Sequence, residues 1–463
     1  MNTFSVEGAR VVVVGAARSG IAAAELLARR GATVTLTDRK DVVDGAERLR
    51  GTGVALELGA ADAAAVHDAD LVVTSPGVPL ELPALMAVKA HGIPVIGELE
   101  LAFRWLRGRV VAITGTKGKS TTTTLVGRML ETAGRRVLVG GNIGVPLSSQ
   151  VDESTEDTVH VVEASSFQLE TTETFRPWIA ALLNFSPDHL DRHPDEAAYG
   201  RAKARIFANQ AAGDWAVVNA DNASAVALAS NTRARRLQYA VDHTSDADVF
   251  VERDFIWQRT SEGLTPLVPL AAIELAGRHM LSNVAAASAI CLAAGASGEA
   301  MARALGGFRG LEHVMEPVAT LGGVRFVNDS KATNVDAAAR SIESFDRVVA
   351  IIGGRYKGGA FEDLRQPLAS RGKGVVAIGE ARPLVRQALA DVVRFIEADS
   401  MADAVRKAVE LARPDGVVLL APACSSFDMF VDYADRGRAF KEEVRRVVTE
   451  GRGFGRGERV MEP

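Results

Sequence analysis

A strand that runs straight into a glycine-rich loop limits most strongly what this chain of 463 residues can fold into. Arg109–Thr114 is an apolar run of strand length, and Gly115-Thr-Lys-Gly-Lys-Ser120 follows it directly, before a helical segment. Glycines let backbone N–H groups approach a phosphate, and the helix N-terminus adds positive potential. Lys119 can then reach the β- and γ-phosphates, and the Ser120 hydroxyl can bind Mg²⁺. The segment predicts a phosphate-binding loop. It is a shortened P-loop, because Ile113 stands where the full pattern has glycine, and a plain tight turn is the alternative.

Apolar runs of strand length alternate with helical segments along the whole chain. Arg10–Gly15, a helix over Gly20–Arg30 and the strand Ala32–Thr37 form such a unit near the start, and Val348–Gly353 and Val417–Ala421 are strands near the end. Alternating strands and helices build parallel sheets, and a chain of this length suggests about three domains. We therefore expect an α/β protein with a Rossmann-like domain over 1–98, a central domain with a P-loop ATPase-like parallel sheet over 99–306, and a second Rossmann-like domain over 307–463.

Composition and charge exclude several classes of function. Lysine and arginine number 53 against 58 aspartate and glutamate, a net charge of −5, so no strongly basic nucleic-acid or membrane-surface binder is expected. The chain has two cysteines, Cys291 and Cys424, 133 positions apart and without a CxxC or Cys/His spacing, which excludes a disulfide scaffold and a structural zinc site and favours a reducing compartment. Met1–Arg10 lacks the pattern of a signal peptide. The uncharged stretch Met280–Gly298 is built largely of Ala, Ser and Gly, with one Asn, which predicts a buried helix and not a membrane span.

Three further features of the central segment carry chemical groups. Glu163 comes directly after the strand Val159–Val162, where a carboxylate beside a phosphate-binding loop can hold Mg²⁺, although an exposed polar turn is the alternative. Asn184–His193 has enough His and Asp for a metal site, but a helix cap or a salt-bridged loop has the same composition. Lys203 lies in a helical stretch, and its neighbours alone predict a solvent-exposed lysine.

The loop Gly15–Gly20 follows the first strand and opens the first helix. It is similar to the pattern Gly-x-Gly-x-x-Gly with Ala17 in the middle position, and Asp38 falls where a ribose-binding acid stands in that pattern. The arrangement favours a nucleotide or another anion at the start of the helix. NAD is one alternative occupant.

Three loops of the third domain follow predicted strands. They are Asn328–Asn334, Gly353–Gly359 and Pro422–Asp428. Each is expected at the C-terminal edge of a parallel sheet, where ligands collect, although each alone is also compatible with a plain turn. Together they predict a pocket rich in Lys, Ser and Thr for an anionic substrate.

Taken in order, these motifs resemble those of the Mur ligase family. They are Gly115–Ser120, Gly141–Gly144, Glu163–Gln168, Asp188–His193, Asn328–Asn334 and Pro422–Asp428. The resemblance spans essentially the whole chain, and Ser75–Gly77 and Ser165–Leu169 are similar to the member that adds D-glutamate. It implies an ATP-dependent amide ligase of peptidoglycan precursor synthesis that joins D-glutamate to UDP-N-acetylmuramoyl-L-alanine through an acyl-phosphate intermediate.

The resemblance also implies the roles of individual residues and domains. The three domains bind the UDP substrate, ATP and the amino acid in chain order, and the family's carbamylated lysine corresponds to Lys203. The catalytic residues implied are Lys119, Glu163, His189 and Lys203, and the ligands of two Mg²⁺ ions are Ser120, Glu163, His189 and Lys203. The ATP-binding residues implied are Gly115, Thr116, Lys117, Gly118, Lys119, Ser120, Thr121, Asn283 and Asp329. The UDP-substrate residues implied are Arg18, Ser19, Asp38, Arg39, Gly77, Asn142, Gln168 and His189. The D-glutamate residues implied are Lys331, Thr333, Lys357, Ser426 and Tyr433.

Three residues depart from the family pattern, namely Ala17, Lys117 and Val314. The alternatives within the enzymes are a Mur ligase adding another amino acid, a folylpolyglutamate synthase, and a variant that adds L-glutamate. An NAD-binding oxidoreductase would leave the loop at Gly115 unexplained. A non-catalytic nucleotide-binding regulator would have no need of Lys119, Glu163, His189 and Lys203. The partners expected are small molecules, with no nucleic acid and no membrane insertion, for a cytoplasmic monomer.

Overall fold

A computed structural model describes residues 4–43, 45–59, 64–188, 192–242, 247–273, 278–308, 310–356 and 358–452. The chain divides into two compact units, Met1–Phe308 and Arg309–Pro463. Among the described residues, two sheets lie in the first unit and one in the second. The predicted α/β class is confirmed, while the three domain boundaries stay a prediction. The Gly- and Arg-rich tail after Glu450 lies almost wholly outside the described residues.

The N-terminal sheet is parallel throughout, with strand order β3-β2-β1-β4-β5. Its strands are β1 (Arg10–Val14), β2 (Thr33–Asp38), β3 (Ala55–Leu58), β4 (Leu71–Thr74) and β5 (Val95–Gly97), and its helices are α1 (Arg18–Arg29), α2 (Pro83–Ala90) and α3 (Glu98–Phe103). The four valines of β1 are buried, as expected for a strand covered on both faces. A Cβ on Gly20 would lie 1.8 Å from the Gly15 carbonyl oxygen, so only glycine lets α1 start this close to β1.

The central sheet has the order β14-β13-β12-β11-β10-β9-β6-β8-β7. Its strands are β6 (Arg109–Thr114), β7 (Arg136–Gly141), β8 (Thr158–Glu163), β9 (Ile179–Leu182), β10 (Trp215–Asn219), β11 (Arg235–Ala240), β12 (Val249–Glu252), β13 (Phe255–Thr260) and β14 (Gly263–Pro269). Its helices are α4 (Lys119–Thr132), α5 (Ser166–Glu170), α6 (Glu196–Ala204), α7 (Ala223–Leu228), α8 (Arg278–Ala293) and α9 (Gly298–Leu305). The predicted uncharged helix is α8, whose middle is buried, and no described helix is long and apolar enough to cross a membrane.

The central sheet differs from the prediction at one edge. β12, β13 and β14 form an antiparallel meander, whereas the sequence pattern predicted a wholly parallel sheet. The hairpin between β12 and β13 turns at Arg253, which has a positive φ of 52°, and such a short connection can join only antiparallel strands. The helical stretch that contains Lys203 is α6, which ends at Ala204 and is followed by a 3₁₀ turn, Arg205–Phe207.

The second unit has one sheet of order β15-β16-β20-β17-β18-β19. Its strands are β15 (Glu316–Leu321), β16 (Val324–Asn328), β17 (Val348–Gly353), β18 (Gly372–Ile378), β19 (Phe395–Glu397) and β20 (Val417–Leu420). Its helices are α10 (Val335–Glu343), α11 (Arg365–Arg371), α12 (Arg382–Leu389), α13 (Met401–Ala412) and α14 (Tyr433–Arg452). β15 is antiparallel to β16, and the other pairs are parallel, so β16, β17 and β20 end at the same edge.

A buried polar chain crosses the central sheet at His160 of β8. Its Nε2 lies 2.8 Å from the Ser154 Oγ and its Nδ1 lies 3.3 Å from the Gln150 Oε1. The Gln150 amide nitrogen donates to the Val139 carbonyl, so its oxygen accepts and the proton of the imidazole belongs on Nδ1. Ser154 Oγ accepts two backbone N–H groups and donates its own proton to Nε2. Burial lowers the pKa of His160 to about 4 and keeps it neutral.

We expect His160 to make the first unit less stable in mild acid. The unfolded imidazole gains a proton near pH 6.5 and the folded one only near pH 4, so between these values the unfolded state binds more protons. The contribution is complete above pH 6.5 and falls by about 2 kcal/mol from pH 7 to pH 5. Urea unfolding followed by tryptophan fluorescence at both pH values tests this in the wild type and His160→Gln. Equal pH dependence in the two proteins would contradict the assignment.

Candidate active site

The loop that is predicted to bind phosphate lies between β6 and α4. Gly115 and Gly118 have φ values of 157° and 82°, and α4 starts at Lys119. A Cβ on Gly118 would lie 2.3 Å from the Asn283 Oδ1, so α8 packs directly against the loop. Glycine at 118 is therefore required both by the left-handed backbone and by this close approach. Asn283, which the resemblance assigns to ATP, lies beside the loop.

Asn184 holds the loop from the end of β9. Its Oδ1 accepts the Lys117 N–H at 2.8 Å, and its Nδ2 donates to the Lys117 carbonyl at 3.0 Å. Its own carbonyl accepts the Thr116 N–H at 3.1 Å. These three bonds fix the loop backbone and leave the Lys117 side chain exposed. Asn184 is the first residue of the motif Asn184–His193, and the sequence alone predicted no role for it.

Two lysines converge on one carbonyl of the loop. Lys119 Nζ donates to the carbonyls of Gly115 and Thr116 at 3.0 and 3.1 Å, and Lys203 Nζ donates to Gly115 at 2.8 Å. Lys203 is only 2% exposed, and burial, reinforced by the positive charge of Lys119, lowers its pKa to about 7. Asp188 and Glu163 partly oppose that shift. The expectation of a solvent-exposed lysine from its neighbours alone is wrong, because α6 turns this side chain into the site.

Glu163 ends β8 as a buried carboxylate. Its Oε1 accepts the Asn142 Nδ2 at 2.7 Å, and its backbone carbonyl accepts the Asn142 N–H at 2.9 Å. Its Oε2 is buried and has no hydrogen-bond partner among the described residues. An exposed polar turn is thus excluded, since Glu163 is 2% exposed. A buried carboxylate oxygen without a donor is costly and fits a cation ligand.

The structure gives less support to the other metal ligands that the resemblance implies. The described residues hold no group of three or more His, Cys, Asp or Glu able to bind a metal ion. His189, together with Leu190 and Asp191, lies outside the described residues. The catalytic, UDP-binding and metal-binding roles of His189 therefore stay predictions.

The glycine loop of the N-terminal sheet is held by its neighbours. Asp38 accepts the backbone N–H groups of Ala16 at 2.7 Å and Lys40 at 3.0 Å. Ser75 donates its hydroxyl to the Gly15 carbonyl at 2.6 Å. Arg18 reaches from the loop to the Gly144 carbonyl at 3.1 Å. The carboxylate of Asp38 thus shapes the loop backbone, and its predicted contact with the substrate stays a prediction.

The remaining UDP-substrate residues differ in exposure. Arg18, Arg39, Gly77 and Asn142 are exposed, Ser19 is half-buried and Gln168 is buried. The Gln168 Oε1 accepts the Ser165 N–H at 3.0 Å in a capping box at the start of α5. That contact accounts for the burial of Gln168, while its role towards the substrate stays a prediction.

In the second unit, Asp329 and Ser330 follow β16 as buried residues. Asp329 accepts the Ser341 hydroxyl and the Met315 N–H, and burial raises its pKa. Arg436 of α14 is 1% exposed; its Nε donates to the Ser330 Oγ at 3.0 Å and its Nη1 to the Cys424 carbonyl at 3.1 Å. The arginine therefore joins two of the predicted ligand loops. Nothing in the charged sequence of α14 marked it as buried.

The other residues assigned to D-glutamate lie on the same edge of this sheet. Lys331 and Thr333 are half-buried, Ser426 is buried, and Tyr433 is exposed at the start of α14. The Tyr433 carbonyl accepts the Ser330 hydroxyl at 2.7 Å. Lys357 lies outside the described residues. The unit thus offers a cation and hydroxyl groups at one sheet edge, and their ligand stays a prediction.

Three family models match this chain. They are described as the Mur ligase MurD-like N-terminal domain over 9–97, the Mur ligase middle domain over 113–291 and the Mur ligase glutamate ligase domain over 315–424. A relative from Koribacter versatilis, named UDP-N-acetylmuramoylalanine–D-glutamate ligase, is 43% identical and the match covers 96% of this chain and 99% of the relative. A relative of the same name from Acidobacterium capsulatum is 45% identical, with 95% and 97% covered.

Solved structures share the fold at low sequence identity. UDP-N-acetylmuramate-alanine ligase MurC from Thermotoga maritima matches with a TM-score of 0.57 and 17% identity, covering 95% of this chain and 100% of that chain. A pseudomurein peptide ligase type C from Methanothermus fervidus matches with a TM-score of 0.54 and 16% identity, with the same coverage of 95% and 100%. At this level of identity the likeness shows the fold alone.

Proposed function

This chain belongs to the Mur ligase family, and from that membership we propose that it is an ATP-dependent ligase that joins D-glutamate to UDP-N-acetylmuramoyl-L-alanine in peptidoglycan precursor synthesis. The observation that carries the proposal is the match to relatives of that name over nearly the full length of both chains. The converging side chains of Lys119, Lys203 and Glu163 support it, because they place charge beside a phosphate-binding loop.

The reaction must bring a carboxylate to a polyanion. The alanyl carboxylate attacks the γ-phosphorus, the bond to ADP breaks, and an acyl phosphate forms. The amine of D-glutamate then adds to the acyl carbon, loses a proton, and expels phosphate as the amide forms. The alanyl carboxylate and the triphosphate of ATP are both negatively charged and repel each other. Preorganised positive charge is therefore needed where they meet. The Lys119 ammonium, held at the loop by two carbonyls, supplies part of that charge.

The donor set fits Mg²⁺. Glu163 Oε2 and the Ser120 hydroxyl would hold one ion, and the unpartnered buried oxygen of Glu163 is the observation that supports this. Bound Mg²⁺ supplies positive charge between the carboxylate and the triphosphate. We further propose a second ion, with His189 and a carbamylated Lys203 as ligands. The lowered pKa of Lys203 supports the carbamate, because only a neutral amine adds CO₂.

The other assignments follow the domain order. The 1–98 domain would bind the UDP moiety, the 99–306 domain ATP, and the 307–463 domain D-glutamate through Lys331, Thr333, Lys357, Ser426 and Tyr433. Asp329 is assigned to ATP. We also propose that the chain is cytoplasmic and acts as a monomer.

Phosphate release tests the function directly. ATP, Mg²⁺ and UDP-N-acetylmuramoyl-L-alanine are supplied with D-glutamate, L-glutamate, L-alanine or diaminopimelate, and we expect release with D-glutamate alone. Phosphate release with L-glutamate alone would support the proposed ligase reaction but show that the amino-acid substrate is L-glutamate and not D-glutamate. No phosphate release with any of the four amino acids, in a protein that binds ATP, would contradict the proposal.

A further inference from the structure

Arg192 connects the N-terminal sheet with the central sheet. It is half-buried, and its Nη1 donates to the Gly77 carbonyl at 3.3 Å. Its guanidinium carbon lies 4.7 Å from the centroid of the Phe167 ring. Gly77 lies in the turn after β4, and Phe167 lies in α5. One side chain therefore spans two of the segments assigned to the nucleotide-sugar substrate.

Arg192 forms no salt bridge with any of the residues that the structure describes. No carboxylate of the described residues lies within salt-bridge distance of it, whereas Arg29 and Arg30 both pair with Asp152 across the same two sheets. Glu170 is near enough for Arg192 to offset part of the rise in its pKa, which burial and Glu81 cause. A guanidinium carries five N–H donors, and the described residues accept only one of those of Arg192. Such a group is suited to a bidentate anion.

The turn that Arg192 contacts is tied to the glycine loop. Ser75, two residues before Gly77, donates to the Gly15 carbonyl at 2.6 Å. α1 starts at Arg18, so the loop presents a helix N-terminus where an anion is favoured. Arg192 of the central segment therefore contacts a turn that is itself tied to the predicted phosphate loop of the N-terminal sheet.

We propose that Arg192 binds the diphosphate of the nucleotide-sugar substrate. The inference rests on the proposed function only for the identity of that substrate, because the chemistry recognised is a nucleoside diphosphate. The Phe167 ring lies against the Arg192 guanidinium, and the glycine loop supplies backbone N–H groups to the same anion. Arg192 is thus a binding residue that acts on affinity for the UDP moiety and leaves the ATP site unchanged.

Calorimetric binding of UDP and of uridine to the full chain tests the proposal. Arg192→Ala should weaken UDP binding about 10- to 100-fold, the effect of losing hydrogen bonds to a charged group, while uridine binding stays within about twofold. Arg192→Lys should restore part of the loss. Arg201→Ala is the matched control, because Arg201 is exposed on α6 and makes no hydrogen bond or ion pair with the described residues.

Two results of the binding experiment would overturn the inference. Equal losses for uridine and UDP would make Arg192 a structural bridge between the sheets, and unchanged UDP binding would remove it from the site. In turnover with UDP-N-acetylmuramoyl-L-alanine, KM for that substrate should rise while kcat and KM for ATP stay within about twofold. Failure of the ligase assay in a chain that binds UDP would contradict the proposed function and leave this inference standing. A wild-type chain that does not bind UDP would contradict both.

Discussion

Replacing Lys119 by alanine should lower phosphate release by roughly 10³-fold, the scale on which enzymes lose activity when one preorganised charge-stabilising donor is removed. The Lys119 ammonium is held at the loop by the carbonyls of Gly115 and Thr116, so it is already placed where phosphates would bind. Without it, the charge that develops during phosphoryl transfer has lost a fixed partner. UDP binding should change little, because the UDP moiety is assigned to the glycine loop of the N-terminal sheet and not to this loop. Phosphate release and calorimetric UDP binding measure the two effects.

Lys117→Ala is the matched control for Lys119→Ala. Lys117 belongs to the same loop, but its side chain is exposed and Asn184 holds only its backbone. We expect a change below about tenfold in phosphate release, as for a surface cation near an anion. Near-wild-type turnover in Lys119→Ala would show that the loop does not bind the reacting phosphates.

Replacing Lys203 by alanine should lower activity by roughly 10²- to 10³-fold, and short carboxylic acids should restore part of it. The side chain is buried against Gly115 and its pKa is lowered to about 7, so near neutral pH much of it is the neutral amine that adds CO₂. The proposed carbamate would carry the oxygens of a carboxylate, and acetate or formate can occupy the space that the alanine leaves. Phosphate release measured against acid concentration gives the rescue curve.

Two controls accompany the Lys203 experiment. Arg201→Ala on the same helix should leave activity near wild type and show no response to acetate. Lys203→Arg should be inactive and not rescued, since its side chain fills the space and forms no carbamate. Absence of rescue in Lys203→Ala at every acid concentration would contradict the carbamate assignment.

Local pattern determined much of the fold. The structure has strands at the valine run of β1 and at the apolar run of β6, where the sequence predicted them, and β6 covers Arg109–Thr114 as expected. A glycine loop follows each of these two strands, also as predicted. Each of these signals involves only a few neighbouring residues, so it can be recognised from the sequence alone. The antiparallel meander β12–β14 was missed, because strand direction depends on short turns in a stretch without clear alternation.

The sequence by itself determined the α/β class, the glycine-rich loop between β6 and α4 and, through resemblance, the family and the candidate site residues. Only the tertiary structure decided the state of those residues. Lys203 donates a hydrogen bond to the Gly115 carbonyl, 88 positions away in the sequence. Arg436 donates to the Ser330 hydroxyl, 106 positions away, and Arg192 to the Gly77 carbonyl, 115 positions away. Burial and charge pairing are set by such distant partners, and they decide whether a lysine is a solvated cation or a neutral amine. No local window of sequence contains that information.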